Sequence, residues 1–253
     1  MRGMGSLCAF CPGLATTREH LWDDWVSKLL GEDKRYIIRR NMQGKALKWK
    51  SVGLKEKTLV LCDDCNHTWG SALGAKMKDV VADMITEGAA TRLNESDVAV
   101  IAAYSQMKAF VCDYMQEDVQ SFYDSRDRHA FRADLAYPRG LCVWLAWTEA
   151  GHGIFKGAYS KAPLETPGRF QIYIFTMSIG QLVIQVTCPR WTKKSNRKYA
   201  KPPTLDQSPF WQRFSTMIWP NCVVPVSWPP IEQLRYEQVD AFVDRWRRLN
   251  RAV

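Results

Sequence analysis

The stretch Leu59-Val60-Leu61-Cys62-Asp63-Asp64-Cys65-Asn66-His67-Thr68-Trp69 decides how the first third of the chain folds. A short apolar run of β-forming residues leads into a C-x-x-C, and polar residues follow at once. A second C-x-x-C, Cys8 and Cys11, lies near the N-terminus. Each C-x-x-C on a tight turn brings two thiolates within reach of one ion. Two such turns complete the tetrahedral four-sulfur shell that zinc prefers. A closed shell of this kind is structural, and the free energy of binding the ion becomes folding free energy. The pairs are 50 residues apart, far beyond the roughly 15–20 of a compact zinc ribbon. A redox role for one pair is the competing reading, but neither sits in a thioredoxin-like strand-to-helix context. Cys112, Cys142, Cys188 and Cys222 stand in apolar surroundings and are expected in the core as small hydrophobes.

Arg18-Glu19-His20-Leu21-Trp22 follows the first pair. The order C-x-x-C, then Glu-His, then a β-like run into C-x-x-C-Asn resembles the cysteine-containing branch of the HNH endonuclease family. That family folds as two strands and a helix around one catalytic metal (the ββα-metal fold), and in this branch a four-cysteine zinc site clamps the ends. The resemblance implies such a module over residues 1–72. Within it, His20 would be the general base that activates a water against a phosphodiester. Glu19 would be a ligand of the catalytic metal, and Asn66, where many members carry a histidine, the second ligand.

The residue types suit that chemistry. A histidine is already poised near neutral pH, and a cation is needed to offset charge on the phosphate and leaving oxygen. Oxygen ligands from Glu19 and Asn66 favour Mg²⁺ or Mn²⁺ over a second zinc. Asn66 is also a natural N-cap for the helix that follows. Adjacent strand residues face opposite ways, so a shared metal demands a bend or a loop end at Glu19-His20. The chain departs from the family at Lys57, where many members carry an Asn or His that orients the base. No third histidine is present unless His67 serves, and it sits about 100° round the helix from Asn66.

Between the two pairs, Lys34-Arg35-Tyr36, Arg39, Arg40, Lys45, Lys48 and Lys50 form a basic stretch with aromatics interleaved. Arg39, Arg40, Lys48 and Lys50 are candidate phosphate contacts on an inserted hairpin or loop, or else one solvated face. Trp22, Trp25 and Trp69 are expected to pack the module. The formal charge of +9 concentrates at the ends: residues 1–60 carry 12 Lys/Arg against 6 acids, and residues 190–253 carry 12 against 5. Basic ends around an acidic middle suit a polyanionic partner. The composition, 46% hydrophobic and 24% charged, argues against bulk disorder. The most apolar run, Phe170 to Val186, is interrupted by Gln171, Thr176, Ser178, Gly180, Gln181 and Gln185, which argues against a membrane span. A cytoplasmic protein with reduced cysteines is the expectation.

Beyond residue 72 the period turns helical. Leu73, Met77, Val80, Val81 and Met84 mark one helix, ending near Gly88. A second, capped by Asn94 and Asp97, runs to about Met115. A polar helix over 118–133 is expected next. Strands follow at Leu141–Thr148, Gly153–Tyr159, Phe170–Met177 and Gln181–Thr187, with Ser178-Ile179-Gly180 as a hairpin turn and His152 as a turn residue. Residues 189–209 read as a basic loop. Ile231, Leu234, Phe242, Val243, Trp246 and Leu249 mark a closing helix. Similar HNH-bearing proteins also carry two helices, strands and a Trp-Pro-Pro segment, here Trp228-Pro229-Pro230.

The expected fold class is α+β: the zinc-stapled module, then a 73–253 region of helices, a small antiparallel sheet and a C-terminal helix. The expected activity is metal-dependent phosphodiester hydrolysis, in DNA by the family's habit, with a homodimer as one route to cutting both strands. Two other readings stay open. One is a zinc-stabilised nucleic-acid-binding protein without cleavage, and the other is a protein-interaction factor of phage or defence origin.

Overall fold

The computed structural model describes residues 6–32, 35–42, 45–52, 54–115, 121–162, 170–191, 208–220 and 222–245. In chain order, β1 (Thr17–His20), α1 (Asp24–Leu30), β2 (Arg35–Met42), β3 (Lys45–Val52) and β4 (Lys57–Leu61) come first. A π-helical segment, Asp64–Gly70, then runs directly into α2 (Ser71–Thr86). β5 (Thr91–Leu93), α3 (Glu95–Tyr114) and α4 (Ser125–Asp134) precede two long strands, β6 (Cys142–Ala162) and β7 (Phe170–Trp191). α5 (Pro209–Gln212), β8 (Ser215–Trp219), β9 (Val226–Trp228) and α6 (Tyr236–Val243) complete an α+β chain.

β1 and β4 pair antiparallel, with Glu19 opposite Thr58 and His20 opposite Lys57. The helix that follows β4 lies against them, so two strands and a helix form one unit with α1 and the β2–β3 hairpin inserted. That hairpin does not stand apart. β2 pairs parallel with β6 at Ile38–Gly153 and Arg39–Ile154, and the sheet runs β3-β2-β6-β7 with β8 on β6. The expected small sheet is therefore mostly antiparallel, with one parallel junction to the N-terminal third.

The four short strands expected after residue 140 are two long ones. β6 and β7 stay paired from Cys142–Thr187 to Ala162–Phe170, interrupted by an irregularity between Trp147 and His152. Ser178-Ile179-Gly180 is strand, not turn, and His152 pairs with Gly180 inside the ladder. Gly180 takes a φ of +55°, and a Cβ there would meet the Ile85 carbonyl of α2 at 2.3 Å. Glycine is needed because the strand passes hard against a helix end. Local sequence cannot distinguish that need from a turn.

α3 is the centre of the fold. Asn94 caps it through a reciprocal pair with Asp97, and nearly every residue from Ile101 to Tyr114 is buried, as a helix apolar on all sides requires. α4 starts at Ser125 rather than 118, because Asp124 and Asp127 form its capping box; residues 116–120 lie outside the described residues. The core is continuous across residue 72, uniting Phe10, Trp22 and Leu61 with Met77, Phe110 and Tyr173. Trp228 is buried and β9 pairs with β5, which gives the Trp-Pro-Pro segment a packing role. Ile231 is 86% exposed and precedes α6, so it is not part of the closing helix face. Trp246, Leu249 and the basic stretch from Lys193 to Lys201 lie outside the described residues.

Asp113, buried near the end of α3, accepts the backbone N–H groups of Phe122 and Tyr123 at 3.0 Å each. Burial pushes its carboxyl up to about 6, against the pull of those two N–H groups and of Arg128 and Arg190. A carboxyl raised on folding holds its proton more tightly in the folded chain, so it contributes stability at low pH and loses it as pH rises from about 4 to about 6. Melting temperature followed across that window should fall with rising pH in the wild type. Asp113→Asn should flatten that component of the slope; an unchanged slope would rule the assignment out.

Candidate functional site

The sulfurs of Cys8, Cys11, Cys62 and Cys65 all lie within 4.8 Å of one another. The Cys11–Cys62 separation is 3.6 Å, close to the edge of about 3.8 Å that a tetrahedron with ~2.3 Å zinc–sulfur bonds requires. Backbone amides turn toward the sulfurs: Phe10 N–H donates to Cys8 and Cys65 N–H to Cys62, both at 3.5 Å. The two turns are tied by Ala9 N–H donating to the Val60 carbonyl at 2.9 Å. Burial pushes the Cys11 and Cys65 thiols up, and neighbouring thiols add to the effect. Four sulfurs this close cannot all ionise without a cation among them. The donor set thus fits a structural zinc, and it is the metal cluster found among the described residues.

The expected catalytic residues lie beside this cage. Glu19 is buried on β1, whereas His20, the strand's last residue, is half-buried. The register shift between Thr17 and Arg18 puts the extra residue, Val60, in β4, so β1 shows no bulge at the expected bend. Glu19 and His20 are regularly paired and so occupy opposite faces. Burial is the main influence lowering the His20 imidazole, reinforced by the ammonium groups of Lys57 and Lys108 and resisted by Asp24. The ring is therefore held neutral at neutral pH, the form that accepts a proton.

Asn66 sits within the π-helical segment and does not cap it; Asp63 holds the cap position. Its Nδ2 donates to Thr17 Oγ1 at 3.0 Å and to the Arg18 carbonyl at 3.3 Å. Thr17 Oγ1 in turn donates to the Leu61 carbonyl at 3.0 Å. The amide thereby stitches the helix start to β1 at the peptide preceding Glu19, and its oxygen takes no partner among the described residues. His67 is exposed and bonded to Asp63 at 2.8 Å.

Two residues of this site were not expected. Lys108, fully buried on α3, donates to Glu19 Oε1, to Asp23 Oδ1 at 2.6 Å and to the His20 carbonyl at 2.8 Å. Asp23 Oδ2 accepts from the Trp25 indole at 3.2 Å. Burial disfavours the Lys108 charge, but Asp23 and Glu19 outweigh it and hold the ammonium well above the ordinary lysine range. Burial also pushes the Glu19 carboxyl up, with Lys108 opposing. The signal for Lys108 was a lone cation inside Val98–Val111, a run otherwise free of charge. Lys108 takes only Oε1 of Glu19, and the Asn66 amide bonds through its nitrogen, so Glu19 Oε2 and Asn66 Oδ1 are the oxygens these bonds leave over.

Trp22 is fully buried, and Trp69 packs against Phe10 at 5.0 Å and Phe131 at 6.0 Å, so both are packing residues. Cys112 and Cys188 are in the core, while Cys142 and Cys222 are only partly buried, a correction to their expected burial. In the β2–β3 register Arg39 stands opposite Lys48 and Ile37 opposite Lys50. Alternation places Arg39, Lys48 and Lys50 at positions of one face and Arg40 at a position of the other. No protein-family model matches the chain, and it matches no curated protein and no solved structure.

Purified protein should carry one zinc per chain by elemental analysis. Cys65→Ser should lose it with a large drop in melting temperature, while Cys142→Ser keeps it; equal zinc in both would remove the four-sulfur site. In a magnesium-free NMR titration, His20 should turn over below the usual histidine value of 6.5. Lys57→Gln should move that midpoint upward, and a midpoint unmoved or lowered would show that the Lys57 ammonium does not act on the ring.

Proposed function

We propose that the chain is a metal-dependent nuclease of HNH type that hydrolyses phosphodiester bonds, most readily in DNA, with His20 as general base. The observation that carries this reading is that one small ββα unit bears a four-cysteine cage, a neutral imidazole at a strand end, and the buried carboxylate of the preceding residue on the other face of that strand. The imidazole is accessible from solvent and takes a proton from an attacking water. Glu19 on β1 and Asn66 at the helix start, which its amide stitches to β1, would each offer one oxygen donor. Glu19 and Asn66 would hold a divalent cation, whose chemistry there would be to offset charge on the phosphate and the leaving oxygen. Lys57 opposite His20 keeps the ring unprotonated and adds positive charge where a phosphate would approach. The basic positions of β2 and β3 support backbone contacts of the sequence-independent kind.

Supercoiled plasmid incubated with the zinc-loaded protein and Mg²⁺ or Mn²⁺ tests the reading. Nicking that requires the divalent ion and falls by roughly 10²–10⁴-fold in His20→Ala is the expected result. Asn66→Ala should weaken the metal dependence as well as the rate. A folded, zinc-loaded wild type that binds DNA with steep salt dependence but leaves it intact would replace this reading with binding alone. No DNA affinity at all would leave a protein-interaction role.

A further inference from the structure

Between Val98 and Val111 α3 carries one charged residue, Lys108, and buries it completely. Stability does not account for it. Removing an ammonium and two carboxylates from water is expensive, and apolar side chains of similar volume at such places are commonly neutral or stabilising. Its hydrogen bonds are more telling. An ammonium has three N–H donors, and here three acceptors receive them: Glu19 Oε1, Asp23 Oδ1 and the His20 carbonyl. The Tyr104 ring lies 5.4 Å beneath the nitrogen, and Gly74 of α2 leaves room for Asp23, whose Oδ2 a Cβ there would meet at 2.3 Å. No donor remains for a substrate or a water, so Lys108 does not touch the reacting atoms.

What it does is fix geometry. The bond to Oε1 sets the plane of the Glu19 carboxylate and leaves Oε2 without a hydrogen-bond partner among the described residues. The bond to the His20 carbonyl pins the peptide that carries the imidazole. We propose that Lys108 is the positioning residue of the centre, holding Glu19 as a ligand and His20 as a base from a helix that lies outside the ββα unit. This rests on the proposed nuclease function, in which Glu19 binds the metal and His20 takes the proton. Asp23 is the third leg that keeps the ammonium centred between them. Two anions on one ammonium leave a net negative charge beside Oε2, which suits an incoming cation.

The test is Mn²⁺ binding to the full, zinc-loaded chain, read from the free-Mn²⁺ electron paramagnetic resonance signal, alongside cleavage kinetics. Glu19→Gln should abolish the site seen in the wild type, which assigns it. Lys108→Met should weaken it by roughly 10–100-fold, although the protein has lost a positive charge. Charge removal alone would tighten cation binding, so an unchanged or tighter site overturns the proposal. Lys108→Arg keeps the charge with a planar fork that cannot reach all three acceptors alike. It too should weaken binding and lower kcat with KM little changed; wild-type values for Lys108→Arg overturn the positioning role. Zinc content and a cooperative melt certify folding, and if Lys108→Met fails them the arginine variant decides. A wild type that binds no Mn²⁺ through Glu19 brings down the metal reading and this one together. A wild type that binds and cleaves, with Lys108→Met equal to it, brings down this one alone.

Discussion

A cage of four sulfurs is the constraint on which the N-terminal third depends. The β1–β4 ladder is four residues long, and an isolated pair of such strands is at best marginal in water. A metal held by the four sulfurs would close a loop of 50 residues between Cys11 and Cys62 and fix both ends of it. Closure entropy grows only slowly with loop length, so an insertion holding α1 and a whole hairpin is tolerated once the ends are clamped. The same clamp fixes where the helix begins, because Asn66 N–H bonds the Cys62 carbonyl at 3.0 Å. The position of the amide side chain against β1 follows from there.

A chain of aromatic and charged contacts leads from the cage into the rest of the molecule. Phe10, one residue before Cys11, meets both Trp69 and Phe110, and Phe110 meets Phe131 of α4. Arg128 of α4 donates to the Ala9 carbonyl at 2.9 Å, and the Tyr114 hydroxyl donates to the Leu7 carbonyl at 2.7 Å. Each of these bonds commits a helix side chain to the backbone of a cysteine turn. With Lys108 on the strand side, α3 and α4 grip the small unit from two directions. The ββα unit therefore has little surface of its own on that side, and its candidate centre is a joint product of segments far apart in sequence.

What could be read from sequence were the local signals. Two C-x-x-C turns state a metal site by type and spacing, and the capping residue Asn94 marks the start of α3 to within a residue. Met77, Val81 and Met84 give the buried stripe of α2. Features that depend on distant partners were not legible. The ion triad joins residues 19 and 108, 89 positions apart, and nothing near either residue specifies the other. The parallel contact of β2 with β6 pairs residues more than a hundred positions apart. Gly180 was misleading for a different reason: glycine marks a place without room or with unusual backbone, and a turn and a crowded strand place the same demand on it. Cys142 shows the limit of composition, since an apolar neighbourhood in sequence left it only partly covered.

The β2–β3 hairpin has one more consequence. Among the described residues β3 is the outermost strand of the five-stranded sheet, with no neighbour beyond it. A bare strand margin is a template on which a second chain can add itself, and lysines along it discourage that addition. Lys45, Lys48 and Lys50 stand within the eight residues of β3. Their positive charge keeps like margins apart. Ionic strength then acts on that barrier: salt screens the repulsion and brings two such margins closer to pairing.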